Sequence, residues 1–248
     1  MSNEFPAAYF GGTDTRIPSP EVVRRTLAPF KRTLLAFIEA LPENARVLDV
    51  GCGSGKAIKM IRSLRPDVTI SGMDISDVSE HLPEGVRFKK GTVEDLTKLF
   101  PGETFDAIIC QHVIEHLLYP MPLMDGITAL LAPEGRLFLE TPNWTRLFAP
   151  FAHFYFYNDY THVRVFSKFS MSRLLLDSGF TIDTLRTVSS CTWLQSKGEG
   201  EEGRVKATTE ITHDRQSLPV RVLARLLNPL MRDVLIAVAT KHGAHAKK

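Results

Sequence analysis

The sequence predicts an α/β fold in which a mostly parallel sheet carries helices on both faces. Three observations support this prediction: short apolar runs rich in β-branched residues, helical stretches between several of these runs, and an ordinary globular composition. The 248 residues are 44% hydrophobic and 23% charged, which is enough to bury a sizeable core. Disordered, collagen-like and disulfide-scaffold proteins are therefore excluded.

Seven short apolar runs predict strands, and most residues between them predict helices. The first helix is expected over 20–41, with Ser19 as its N-cap and Pro20 in its first turn. The predicted strands cover 46–50, 68–73, 86–90, 105–110, 136–140, 180–188 and 234–239. Further helices are predicted over 57–64, 94–99, 114–131 and 170–177.

The pattern predicts a single domain over residues 1–248 with four attachments. Residues 1–19 form an N-terminal arm, and the aromatic-rich segment 142–166 is predicted to be a lid insertion. Residues 189–232 are predicted to be a polar excursion followed by a basic amphipathic helix. The tail 242–248, rich in His and Lys, is expected to be disordered.

Charge and cysteine usage restrict the partners and the compartment. With 30 Lys and Arg against 28 Asp and Glu, the formal charge of +2 provides no whole-chain attraction to nucleic acid, which disfavours RNA as a partner. The three cysteines, Cys52, Cys110 and Cys191, lack C-x-x-C spacing and are typical of free thiols in a reducing compartment. Since the sequence also shows neither a secretory leader nor a membrane-spanning apolar run, we expect a cytoplasmic protein.

A glycine-rich turn follows the first predicted strand, in the segment Asp-Val-Gly-Cys-Gly-Ser-Gly at 49–55. Glycines let the backbone turn sharply and approach a ligand, which then meets the N-terminal N–H groups of the next helix. A P-loop would require Ser or Thr after Lys56, where Ala57 stands, and the dinucleotide fingerprint would require glycine at Lys56. Both of these ligand classes are disfavoured.

Two acids identify a different ligand. Asp49 precedes the glycines, and Asp74 ends the second predicted strand. This pattern fits a ligand with an amino-acid tail and a ribose, because Asp49 can hold the ammonium side while Asp74 accepts both ribose hydroxyls. The ligand predicted in this way is S-adenosylmethionine. The alternative is a glycine turn that only connects a strand to a helix.

On these residues the sequence resembles the class I S-adenosylmethionine-dependent methyltransferases, over about 20–179 and the last strand. The similar segments are 49–55 (first motif), 91–96 (third-strand motif), 105–116 (fourth motif) and 135–143 (fifth-strand segment). The resemblance implies a Rossmann-like methyltransferase domain with a seven-stranded sheet, an antiparallel last strand and S-adenosyl-L-methionine as co-substrate. The cofactor-binding residues it implies are Asp49, Gly51, Cys52, Gly53, Gly55, Asp74, Ile75, Val93, Glu94 and Gln111.

Candidate catalytic residues follow the fourth predicted strand. Methyl transfer is an in-line displacement, so the protein mainly aligns a nucleophile and removes its proton. His116 is the best candidate for the base, and Glu115 and His162 are further candidate catalytic residues. The alternative for His116 is a buried structural imidazole, and for His162 it is a salt-bridged hinge with Asp159 and Arg164.

The run His112-x-x-Glu115-His116 raises the question of a metal. It spells the H-x-x-E-H pattern of some metalloproteases. It is also similar to a run that holds a divalent ion in ubiquinone-pathway O-methyltransferases and small-RNA 2′-O-methyltransferases, and His162 could add a ligand. The identity of metal ligands therefore stays open, and metal-independent activity is the favoured prediction.

The predicted function is S-adenosylmethionine-dependent O-methylation of a small-molecule or saccharide acceptor. The chain lacks the Asn/Asp-Pro-Pro-aromatic run of methylases that act on base amino groups, so DNA is not an expected partner. Three alternatives remain: a membrane-peripheral enzyme that contacts lipid through the basic helix at 218–232, an RNA 2′-O-methyltransferase, and a non-catalytic S-adenosylmethionine-binding module.

Overall fold

The computed structural model describes residues 15–26, 31–143, 159–188 and 234–243. The predicted lid at 142–166 is therefore described only at its two ends. The predicted polar excursion and basic helix at 189–232 lie outside the described residues, as does Cys191.

Seven strands form one sheet. Their bounds are β1 Arg46–Val50, β2 Thr69–Asp74, β3 Arg87–Lys90, β4 Phe105–Gln111, β5 Leu131–Pro142, β6 Phe180–Val188 and β7 Val234–Lys241. The strand order is β3-β2-β1-β4-β5-β7-β6, with β1 to β5 paired in parallel. Strand β7 runs antiparallel to both β5 and β6. The predicted seven-stranded, mostly parallel sheet with an antiparallel last strand is confirmed.

Helices cover both faces of this sheet, as predicted. They are α1 Pro20–Thr26, α2 Arg32–Glu39, α3 Lys56–Leu64, α4 Leu96–Leu99, α5 Met121–Leu130 and α6 Lys168–Asp177. Because side chains alternate along a strand, Val47 and Ile109 pack with α1, α2 and α3, whereas Leu48 and Ile108 pack with α4, α5 and α6. The core therefore consists of two apolar layers separated by the sheet.

Two predicted helices differ in more than their bounds from the observed ones, and β5 begins at Leu131, before its predicted start at residue 136. The segment predicted as one helix over 20–41 contains α1 and α2, with residues 27–30 outside the described part. The helix predicted over 114–131 was wrong in its first part: Ile114–His116 is a 3-10 turn, and α5 begins at Met121. Pro120 explains this, because proline disfavours helical backbone in the residue before it, whereas Pro122 lies in the first turn of α5, where proline is tolerated. Glu115 and His116 consequently lie on a loop.

The end of β7 also differs from the prediction. The strand continues to Lys241, and the backbone N–H of His242 donates a hydrogen bond to the Gly179 carbonyl at 3.1 Å. The tail that the sequence predicted to be disordered from 242 is therefore held at its first residue.

Several residues that flank the undescribed segments are paired at one end of the sheet. Val188, the last residue of β6, pairs with Val234, the first residue of β7, which also pairs with Pro142 at the end of β5. Asn143 forms an isolated bridge with Phe166. These junctions lie at the edge of the sheet where the parallel strands end. No helix in the described ranges has the length and apolar character that crossing a membrane requires.

Candidate active site

The glycine turn between β1 and α3 has a backbone that other residues adopt only with strain. Gly51, Gly53 and Gly55 have φ angles of 72°, 48° and 70°. A Cβ atom on Gly51 would also lie 2.2 Å from Val113 Cγ2. The Gly51 N–H donates to the carbonyl of Met73 on β2 at 2.9 Å, which locks the turn to the neighbouring strand.

Asp74 ends β2 and organises the same turn. Its Oδ2 accepts from the Gly53 N–H at 2.9 Å, and its Oδ1 accepts from the Ser76 N–H at 3.0 Å. Burial raises the pKa of Asp74, although these backbone donors oppose the rise. Each carboxylate oxygen can accept more than one hydrogen bond, so Asp74 can hold the turn and still accept from a ligand.

Asp49 lies next to this turn, almost fully buried in β1. Burial and then the charge of Asp74 raise the pKa of Asp49 to about 7, against the opposing charge of Lys31. At neutral pH the carboxyl group is therefore poised between its two protonation states. A cationic ligand group beside Asp49 would favour the ionised form.

The other predicted cofactor residues lie at the same edge of the sheet. The Cys52 N–H donates to the Met73 carbonyl at 3.0 Å, and Ile75 directly follows β2. Val93 is buried in a 3-10 turn after β3, where Glu94 is exposed. Gln111 is the last residue of β4. All ten predicted cofactor residues therefore lie at or near the carboxyl ends of β1 to β4.

Glu115 is completely buried and connects three parts of the site. Its Oε1 lies 3.3 Å from His112 Nδ1, and its Oε2 accepts from the Thr141 hydroxyl at 2.9 Å. Burial alone would raise the pKa of Glu115, but the His112 interaction reverses this and lowers it. Its backbone carbonyl accepts from the N–H groups of Val163 and Arg164 at 2.9 and 3.0 Å, which ties the loop after β4 to the segment before α6.

His116 is oriented by a hydroxyl and a carboxylate. Its Nδ1 lies 2.9 Å from Thr161 Oγ1, and this hydroxyl donates to Asp159 Oδ1 at 2.5 Å. Because the Thr161 hydrogen is directed to Asp159, its oxygen accepts from His116 Nδ1–H, and Nε2 is then the basic nitrogen of the neutral ring. Burial lowers the pKa of His116, which favours this neutral form.

His162 lies beside His116. The two rings are 4.8 Å apart in an edge-on arrangement, and His162 Nε2 is 3.9 Å from Asp159 Oδ2. Within the described residues, one ligand atom from each of Glu115, His116 and His162 lies within 4.8 Å of the others. This mixed nitrogen and oxygen set is chemically suited to a divalent transition metal. Glu115 and His116 are, however, already engaged in the hydrogen bonds given above.

His112 contacts Glu115 but is not part of this group of three, although the sequence motif suggested it as a ligand, with His162 as the fourth. Its backbone has a φ of 54°, uncommon for a residue other than glycine, and its ring is held between Glu115 and Glu140, with Nε2 3.0 Å from Glu140 Oε1. Burial lowers the pKa of His112, but the two carboxylates outweigh this and raise it to about 9. His112 is thus an internal cation at neutral pH.

Glu140 and Lys31 are site residues that the sequence analysis missed. Lys31 Nζ lies 2.7 Å from Glu140 Oε1, across 109 positions of the chain. Burial would raise the pKa of Glu140, but Lys31 and His112 lower it to about 2. Glu140 could have been recognised as a candidate site residue from the sequence, because it is a glutamate near the end of the otherwise apolar fifth strand. Lys31 carried no such signal, because one lysine at the start of a helix is ordinary.

A family model described as a methyltransferase domain matches residues 23–185. The chain belongs to this family. A ubiquinone biosynthesis O-methyltransferase from Xanthomonas campestris pv. campestris (strain B100) is 36% identical over 132 residues, which cover 51% of this chain and 54% of the relative. One from Dechloromonas aromatica (strain RCB) is 37% identical over 106 residues, covering 40% and 44%. The chain spans about half the length of the curated relatives it matches.

Solved structures support the fold. A chain from the complex between the Haloferax volcanii Trm112 methyltransferase activator and a methyltransferase aligns with a TM-score of 0.61 at 15% identity over 95% of this chain and 97% of that one. A SAM dependent methyltransferase from Archaeoglobus fulgidus aligns with a TM-score of 0.58 at 21% identity over 90% and 95%. With the family match, they confirm the predicted class I methyltransferase fold.

Proposed function

We propose that the protein is an S-adenosylmethionine-dependent O-methyltransferase that acts on a small-molecule acceptor. The observation that carries this proposal is the orientation of His116 by Thr161 and Asp159 at the sheet edge that also holds the glycine turn. When bound, S-adenosylmethionine supplies an electrophilic methyl group. The residues of this chain bind this co-substrate, orient the acceptor and remove the proton from its hydroxyl group.

On the cofactor side, the two buried acids have different tasks. Asp74 accepts hydrogen bonds from the ribose hydroxyls while it keeps Gly53 in place. Asp49 faces the ammonium side, and the raised pKa of its carboxyl group falls again when a cation binds next to it. If Asp74 holds the ribose, Ile75 and residues 93–94 contact the adenosine end of the ligand.

On the acceptor side, His116 Nε2 would take the proton from the acceptor hydroxyl while the oxygen displaces sulfur from the methyl carbon, and the electron pair of the broken carbon–sulfur bond would leave with S-adenosylhomocysteine. Thr161 and Asp159 stabilise the resulting imidazolium, because the hydrogen on Nδ1 remains directed at the Thr161 oxygen. The buried charge of Glu115 favours the same protonated state. A base held in this way contributes about 10²–10⁴-fold in typical enzymes.

The names of the relatives support the acceptor class, since both are ubiquinone biosynthesis O-methyltransferases. A small molecule with a hydroxyl group is therefore the proposed acceptor, and a saccharide is a narrower version of the same proposal. A cytoplasmic location is proposed as well, in keeping with the free buried thiols of Cys52 and Cys110.

The proposal is tested by measuring S-adenosylhomocysteine released from S-adenosylmethionine in the presence of a panel of phenols, other alcohols and sugars. We expect release with at least one hydroxyl compound and a loss of about 10²-fold or more in His116→Gln. His242→Gln, a histidine exchange at the end of β7, is the matched control and should leave the rate unchanged. A protein that fails to bind S-adenosylhomocysteine would contradict the proposal.

A further inference from the structure

Two buried polar atoms at the site lack hydrogen-bond partners among the described residues: Gln111 Nε2 and Glu140 Oε2. Gln111 and Glu140 are paired across β4 and β5. Paired residues on neighbouring parallel strands direct their side chains to the same face of the sheet. One unused donor and one unused acceptor are therefore buried on the same face of two adjacent strands.

Asp49 belongs to the same face. It pairs with Ile109, two residues before Gln111, so its side chain lies on the side shared by Gln111 and Glu140. Lys31 completes the cluster, because its Nζ contacts Glu140 Oε1 and its charge also acts on Asp49. The described part of this edge combines two carboxylates, one amide and one ammonium group across β1, β4 and β5.

The partnerless oxygen belongs to an ionised group. Glu140 Oε1 receives both Lys31 Nζ and His112 Nε2, whereas Oε2 receives neither. A buried charged oxygen without a donor costs free energy, and so does a buried amide N–H without an acceptor. A single ligand group that carries both a cationic donor and an anionic acceptor would satisfy the two atoms together. An α-amino carboxylate is such a group.

We propose that Glu140 and Gln111 bind the amino-acid end of S-adenosylmethionine, with Glu140 Oε2 accepting from the ammonium group and Gln111 Nε2 donating to the carboxylate. This inference rests on the proposed function and extends the cofactor site to a residue of the fifth strand. Lys31 positions the glutamate through its other oxygen. Asp49 adds a second negative charge on the ammonium side.

Two ligands isolate the contribution of the amino-acid end. S-adenosylhomocysteine carries this end, and 5′-methylthioadenosine has the adenosine and the sulfur without it. We expect Glu140→Gln and Gln111→Met each to weaken S-adenosylhomocysteine binding by about tenfold or more in calorimetry, as lost hydrogen bonds to charged groups do. Binding of 5′-methylthioadenosine should change by less than about twofold, since it makes no contact there. Glu84→Gln, an exposed glutamate, is the charge-matched control.

Each outcome decides the inference. Equal weakening of both ligands would mean a distorted sheet edge and would overturn it, as would unchanged binding of both. If Glu140→Gln does not fold, Gln111→Met carries the test, because its amide nitrogen has no described partner to lose. Wild-type protein that binds neither ligand would overturn the proposed function as well, whereas wild-type binding without the differential loss overturns only this inference.

Discussion

The Thr161 hydroxyl accepts a hydrogen bond from His116 Nδ1 at 2.9 Å and donates its own hydrogen to Asp159. This contact joins the loop after β4 to the segment before α6. It also determines which nitrogen of the imidazole is basic. The orientation of the proposed base therefore depends on a residue 45 positions away in the chain.

The first prediction concerns this contact. Thr161→Val removes the hydroxyl while keeping the side-chain shape, and we expect kcat for methyl transfer to fall about tenfold or more, because part of the contribution of the base is lost. Thr161→Ser retains the hydroxyl and should keep most of the activity. Steady-state kinetics of both variants make the comparison. An unchanged kcat in Thr161→Val would mean that His116 acts only as a structural residue.

The second prediction concerns the ribose-binding acid. Asp74→Ala should weaken S-adenosylhomocysteine binding by about 1.5–3 kcal/mol, the scale of hydrogen bonds to a charged group. Isothermal titration calorimetry measures the change, and Asp183→Ala on β6 is a matched control at the opposite end of the sheet order. A folded Asp74→Ala protein with wild-type affinity contradicts the assignment, and binding of NAD would instead favour a dinucleotide site.

The third prediction concerns pH and Asp49. The pKa of this carboxyl group rises from 3.8 to about 7 in the folded protein, so ionisation disfavours the folded state. Stability from the protonated form is present below pH 3.8 and is lost as the pH rises to about 7. Asp49→Asn should therefore have a higher free energy of unfolding than wild type at pH 8, and the difference should shrink towards pH 4.

Urea unfolding of ligand-free protein at several pH values measures this difference. Asp183→Asn, a partly exposed aspartate in β6, controls for charge. A stability difference that does not vary with pH would show that Asp49 is not the group that titrates. We also expect Asp49→Asn to bind S-adenosylhomocysteine more weakly, since the anion opposite the ammonium is lost.

The fourth prediction separates backbone strain from steric overlap in the glycine turn. Gly51 and Gly102 have similar φ angles, 72° and 68°, but only a Cβ on Gly51 meets another side chain. Gly102→Ala should cost about 1–2 kcal/mol of folding free energy, the expense of left-handed backbone for alanine. Gly51→Ala should cost more than this and should abolish S-adenosylhomocysteine binding. Equal losses in both variants would indicate that Val113 moves aside without cost.

The fifth prediction concerns metal dependence. We expect methyl transfer to continue in excess chelator, because Glu115 already bonds His112 and Thr141 while His116 already bonds Thr161. Activity before and after chelation, followed by metal analysis of the protein, measures this. Loss of activity that one divalent metal restores, together with loss of that metal in His162→Ala, would show that the three-residue group holds a catalytic ion.

Local patterns were sufficient to predict most of the fold. The bounds of β1 and β6 agree with their predicted runs, because an apolar strand ends abruptly at polar or glycine residues. The start of α5 was mispredicted, since the apolar periodicity extends to residues before Pro120, whereas the helix begins only after this proline. Apolar spacing alone therefore placed Glu115 and His116 on the wrong element.

The candidate site also has a part that the sequence could predict and a part that it could not. The glycine turn and its two acids were predictable because they are close in sequence or end neighbouring strands. The contact between Lys31 and Glu140, and the placement of His112 between two carboxylates, were not predictable, because they depend on the distance between elements far apart in the chain. Charge in such a network is a property of the folded arrangement and not of residue type.

The pairing of Val188 with Val234 has a practical consequence for engineering. The described chain stops at one of these residues and resumes at the other, and the two are paired backbone positions, roughly 5 Å apart as in any antiparallel pair. The entropy of closing a connection grows slowly with its length, so exchanging the segment between the two residues for one from another family member should leave the sheet intact. Such an exchange would keep the glycine turn and the two acids Asp49 and Asp74 in place, because they lie on β1, β2 and the turn between β1 and α3.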